Sequence, residues 1–120
     1  MDETPTECTL FFNPGCSTCR RALELLEEKD VPVRVVEYLS TAPTRAELER
    51  VLVLLGTDDP REIIRSKEPV HDELGLAEAD RDALLDAMAA HPILIQRPIA
   101  IRGDRAVVAR PPERLLDLLD

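Results

Sequence analysis

The apolar positions of this chain recur in two rhythms. Cys8-Thr9-Leu10-Phe11-Phe12 is a short apolar run bounded by a polar tail and by Asn13-Pro14-Gly15, and it reads as a buried strand. Beyond the turn the spacing becomes helical. From Ser17 to Lys29, Ala22, Leu23, Leu25 and Leu26 fall on one face, while Glu24, Glu27 and Glu28 fall outside it. Val33-Arg34-Val35-Val36-Glu37-Tyr38 returns to strand. A strand, a helix and a strand form a βαβ unit, which predicts a parallel pair joined by a right-handed crossover.

The middle of the chain is helical in pattern. Thr44-Arg45-Ala46-Glu47 is a capping box, followed at helical spacing by Leu48, Val51, Leu52 and Leu55 and stopped by Gly56. Asp59-Pro60 starts a short helix that carries Ile63 and Ile64 and ends at Arg65. Leu74-Gly75-Leu76 marks a break. Asp80 caps a helix holding Ala83, Leu84, Ala87 and Met88, which ends by His91 because Pro92 follows.

Pro98-Ile99-Ala100-Ile101-Arg102 and Arg105-Ala106-Val107-Val108-Ala109 then read as two strands joined by the Gly103-Asp104 turn. Pro111-Pro112 opens a terminal helix with Leu115, Leu116 and Leu119 facing inward. The order is β-α-β, a helical insert, then β-β-α. It predicts an α/β thioredoxin-like fold with a mixed four-stranded sheet, in one domain over residues 1–120, with residues 1–7 as a flexible tail.

Length and composition agree with one domain: 120 residues supply a single core, 44% of them are hydrophobic, and only 2% are aromatic. That core is therefore built from Leu, Val, Ile and Ala. The net charge of −9 argues against nucleic acid or an anionic membrane as partner. An anionic substrate then needs arginines gathered locally against the overall field. No apolar run reaches the roughly 20 residues that span a bilayer. The acidic start Met1-Asp2-Glu3 is unlike the basic start of a signal peptide. The expectation is a cytoplasmic monomer. In a reducing compartment, three cysteines point to redox or catalytic use more than to a structural disulfide.

Cys16 is the leading candidate for chemistry. The Asn-Pro-Gly turn delivers it to the mouth of a helix, where unpaired amides and the helix dipole favour a thiolate and attract oxyanions. The adjacent turn and the polar Ser17 and Thr18 predict an accessible thiol, and those two residues supply neutral donors to a bound anion. Cys19 stands one helical turn on, at C-x-x-C spacing. It is either a resolving thiol or a small residue packed on the helix face. Cys8 lies in the first strand and reads as a packing residue. Three arginines carry the planar fork that suits oxyanions: Arg65, Arg97 before Pro98, and Arg110 before Pro111. Pro98 is a candidate for a cis peptide. His71 and His91 read as structural, and no Cys/His spacing suggests a metal site.

Four motifs in register resemble the glutaredoxin-coupled arsenate reductases: Asn13-Pro14-Gly15-Cys16-Ser17-Thr18, Arg61 to Lys67, His91 to Ile99, and Ala109-Arg110-Pro111-Pro112-Glu113. The resemblance implies a thioredoxin-like fold with a helical insert. It implies Cys16 as nucleophile, Arg65, Arg97 and Arg110 as oxyanion-binding residues, and Pro98 as the cis-proline. It also implies the reaction: the thiolate attacks arsenate, glutathione or another low-molecular-weight thiol acts as co-substrate, arsenite leaves, and glutaredoxin or a thioredoxin-like reductant restores the thiol. No bound cofactor is implied. The chain departs from the family pattern in two places. Cys19 adds a thiol where the better-known members have none, and Phe12 stands where many members have a histidine. Two other readings share the fold. One is an Spx-type transcription regulator that binds RNA polymerase, against which Arg110 speaks. The other is a general thiol–disulfide oxidoreductase, against which the three arginines speak.

Overall fold

The computed structural model describes residues 7–119, so all but the last residue of the expected 1–7 tail lies outside the described residues. The chain divides into two compact units. One comprises Met1–Glu37 and Arg97–Asp120, the other Tyr38–Gln96.

The first unit holds the sheet. Strands β1 (Cys8–Phe11), β2 (Val33–Val36), β3 (Ile99–Arg102) and β4 (Arg105–Val108) lie in the order β2-β1-β3-β4. β1 runs parallel to β2, with Cys8 opposite Val33, and antiparallel to β3, with Cys8 opposite Arg102. β3 and β4 are antiparallel. The sheet is mixed and four-stranded, and the fold is thioredoxin-like. Gly103 takes φ +63° in the tight turn between β3 and β4. A Cβ there would meet nothing within 4 Å, so the backbone conformation and not space makes glycine the fitting residue.

Helix α1 (Ser17–Glu28) makes the crossover from β1 to β2. Its buried face is Cys19, Ala22, Leu25 and Leu26, with Leu23 only partly buried. Cys8, Leu10 and Phe12 alternate along the central strand and share the same apolar cluster, joined by Ala100, Val107, Ala109, Leu115 and Leu118. The terminal helix is a 3-10 helix over Pro112–Leu118, in which Leu115 and Leu118 are buried. This corrects the expected inward set of Leu115, Leu116 and Leu119. At three residues per turn, positions three apart share a face, so Leu116 and Leu119 form a partly buried flank.

The second unit is helical: α2 (Arg45–Leu55), α3 (Pro69–Glu73) and α4 (Arg81–Ala90), linked by 3-10 turns. The capping box of α2 is complete. Glu47 N donates to Thr44 Oγ1 at 3.1 Å, and Thr44 N donates to Glu47 Oε1 at 2.8 Å. Gly56 closes the helix at φ +79°. In α4 the buried residues are Leu84, Leu85, Ala87 and Met88. Ala83 is exposed, against expectation, because Leu85 is the larger apolar residue next to Leu84 and takes the inward place. The turn after Asp59 stops at Glu62, earlier than expected. Beyond it the chain is bridged to the segment before β3: Ile64 pairs with Ile95, Gln96 N donates to Ile63 O at 2.8 Å, and Arg65 N donates to Leu94 O at 2.7 Å. Arg65 therefore follows a bridged segment and does not end a helix. No helix among the described residues is long and apolar enough to cross a membrane.

Candidate active site

The turn that presents Cys16 is tied by its own side chains. Cys16 N donates to Asn13 O at 2.9 Å, and Gly15 N donates to Asn13 Oδ1 at 2.9 Å. Arg20 Nη1 reaches back from α1 to Pro14 O at 2.7 Å. Cys16 is the N-cap of α1, with extended backbone (φ −103°, ψ 119°), and its carbonyl accepts from Arg20 N. Ser17 and Thr18 follow at the first two helical positions.

Cys16 is 8% exposed, which corrects the expectation of an accessible thiol. Its side chain belongs to the apolar cluster that also holds Phe12, Cys19 and Ala109. Burial opposes its ionisation. The Cys19 backbone N–H and thiol outweigh that, with the Arg97 guanidinium, and together they lower its pKa from 9.0 to about 7. Cys19 behaves in the opposite way. It is fully buried, and burial together with the neighbouring Cys16 pushes it up to about 12. Burial also raises Cys8 to about 11, as suits a thiol that only packs. All three cysteines are free thiols.

Arg97 lies before β3 and is half-buried; its Nε is buried with no hydrogen-bond partner. Its carbonyl accepts from Arg110 Nη1 at 3.0 Å. The Arg97–Pro98 peptide is cis, and so is Arg110–Pro111, which the sequence reading did not single out although it is also an X–Pro bond. Pro98 O accepts from Ala109 N at 2.9 Å, which holds the residues before β3 against those after β4. One unit thus gathers Cys16, Ser17, Thr18, Cys19, Arg97, Pro98 and Arg110. Arg65 belongs to the other unit, where its Nε and Nη2 both donate to Glu68 Oε2 at 3.0 Å. Glu68 was missed in the sequence; the opposite charge three residues after Arg65 was its only signal. Among the described residues, no group of three or more His, Cys, Asp and Glu side chains could hold a metal ion.

Fold and site together define a thioredoxin-like domain with a readily ionised cysteine at a helix mouth, beside an arginine. The model of the ArsC family matches residues 11–118, and the chain belongs to that family. An arsenate reductase of Neisseria meningitidis is 43% identical over 111 residues, covering 91% of this chain and 95% of the relative. An arsenate reductase of Rhizobium meliloti is 41% identical over 113 residues, or 92% of this chain and 80% of the relative. Among solved structures, the arsenate reductase from Vibrio cholerae superposes with a TM-score of 0.91 at 39% identity, covering 95% of this chain and 98% of that one.

Proposed function

We propose that this protein is an arsenate reductase with Cys16 as its nucleophile. The observation that carries the reading is the Cys16 sulfur beside the Arg97 guanidinium, with a pKa brought down to about 7. A thiolate is then substantially populated at neutral pH, next to a fixed positive charge that an oxyanion can share. The names of the relatives supply the substrate: a tetrahedral, anionic arsenic(V) oxyacid.

The thiolate attacks arsenic and forms an S–As bond, while one arsenate oxygen leaves as water with protons from the oxyacid and solvent. Arg97 and Arg110 face the added charge, and Ser17 and Thr18 supply neutral donors at the helix mouth. Arg97 Nε, buried and unpartnered, gains an acceptor when an oxyanion binds. Arg65, in the other unit, is the third arginine that the family resemblance implies, and its guanidinium is held by Glu68. A second thiol then attacks the Cys16 sulfur, the S–As bond breaks with its electron pair staying on arsenic, arsenite leaves as arsenic(III), and a disulfide remains. The family resemblance names glutathione and glutaredoxin as the reductants, acting on Cys16.

The test is arsenate-dependent consumption of reductant by the wild type and by Cys16→Ser, with glutathione and glutaredoxin supplied. The wild type is expected to turn over and the variant to be inactive. Turnover retained in the variant excludes Cys16 as nucleophile.

A further inference from the structure

Helix α1 places two thiols at the N-cap and third helical positions, the positions that carry the capping box on α2. In α2 the N-cap Thr44 and the third helical residue, Glu47, exchange hydrogen bonds across the first turn. In α1 the same two positions are Cys16 and Cys19. N-cap and third-position side chains meet because the first folds back over the turn and the second reaches toward it. Both cysteines lie in one apolar cluster, and the Cys19 thiol is among the groups that favour the Cys16 thiolate. Residues one turn apart at a helix start also fall within the Cα separation that a disulfide spans.

We propose that Cys19 is the resolving thiol of the reaction, closing a Cys16–Cys19 disulfide that expels arsenite without any monothiol. This rests on the arsenate reductase reading above. In the step, Cys19 Sγ attacks Cys16 Sγ and the S–As bond breaks. Its electron pair stays on arsenic, which falls from arsenic(V) to arsenic(III), and the Cys19 proton passes to solvent or to an arsenite oxygen. The sum balances: one arsenate and two thiols give one arsenite, one disulfide and one water. A dithiol reductase of the thioredoxin or glutaredoxin class then reduces the disulfide.

The resting state keeps this second thiol silent. Cys19 is fully buried, so an external thiol or oxidant reaches Cys16 first. Its ionisation is opposed by burial and by the charge on Cys16. Once Cys16 is bonded to arsenic, its negative charge is gone from sulfur, and that part of the opposition disappears. The Arg97 charge, which favours the Cys19 thiolate, remains. Attack by Cys19 is thus tied to prior attack by Cys16.

The experiment mixes reduced full-length protein with arsenate, first with no other thiol and then with glutathione, and measures arsenite and protein mass. The expected result without glutathione is one arsenite per chain, a protein lighter by two hydrogen atoms, and a Cys16–Cys19 crosslink in the peptide map. Cys19→Ser is expected to release no arsenite alone and to recover release when glutathione is added. The wild-type peptide map decides the matter if that variant does not fold. Arsenite formed by the wild type only with glutathione, with a Cys16–glutathione adduct, overturns the role of Cys19 and leaves the reductase reading standing. No arsenite in either condition overturns both.

Discussion

Arg110 Nη1 donates to the main-chain carbonyl of Arg97 at 3.0 Å. The cation after β4 thereby holds the backbone that positions the cation beside Cys16, so the two arginines have separable duties. Arg97 acts on the sulfur through its guanidinium, whereas Arg110 acts on Arg97 through the main chain; in the proposed reaction its remaining donors meet the oxyanion.

Arg110→Ala removes this tie and one anion donor from an exposed position. A hydrogen bond involving a charged group contributes about 1.5–3 kcal/mol, so the apparent affinity for arsenate is expected to fall about tenfold or more. Folding is expected to be nearly unchanged, because the side chain is exposed. Steady-state kinetics with a parallel urea melt checks both halves. An unchanged KM removes Arg110 from the oxyanion site.

Arg97→Gln keeps a polar side chain but deletes the positive charge beside Cys16. The charge favours the thiolate, so its loss moves the Cys16 pKa upward from about 7 toward the ordinary 9.0. The pH dependence of alkylation of Cys16 by iodoacetamide, followed by peptide mapping, reads this directly. The midpoint is expected at higher pH in the variant, and a midpoint that stays in place refutes the electrostatic role.

The thiols also give the protein a characteristic alkaline profile. Cys16 is ionised in the folded state from about 7, below the ordinary 9.0 of the unfolded chain, so it adds stability as pH rises from 7 to 9 and loses it as pH falls through 7. Cys8 and Cys19 have folded values near 11 and 12, above 9.0, so the unfolded state sheds their protons first and stability falls as pH rises beyond 9. Thermal melts of the reduced protein are expected to peak near pH 9. Cys8→Ala is expected to flatten the alkaline fall, and an identical slope in that variant contradicts the burial argument.

Glu68 Oε2 accepts from both Nε and Nη2 of Arg65 at 3.0 Å, and so occupies one edge of the guanidinium. If Arg65 binds the oxyanion, Glu68 competes with it, and Glu68→Gln is expected to tighten apparent arsenate affinity several-fold. Competition kinetics with phosphate as inhibitor provides a second reading. Unchanged constants for both anions separate Arg65 from anion binding.

Local rules were legible along the chain. The strand–turn–helix around Asn13-Pro14-Gly15, the Thr44/Glu47 box, the Gly56 stop and the tight turn at Gly103 each depend on residues a few positions apart. A sequence displays such neighbours directly. Where the reading slipped, the cause lay in packing. Leu85 displaced Ala83 from the inward face of α4, and a 3-10 period replaced an α period after Pro112, so that Leu118 turned inward.

The sequence by itself determined that Cys16 caps a helix, that Cys19 follows one turn later, and that arginines stand before the prolines at positions 98 and 111. Only the tertiary structure decided that the Cys16 sulfur is buried, that the Arg97 guanidinium lies beside it, and that Arg110 grips the Arg97 carbonyl. The reason is physical. Capping and turn formation use bonds between neighbours in the chain, but β3 must pair with β1 before the residues preceding it can approach the turn that follows β1.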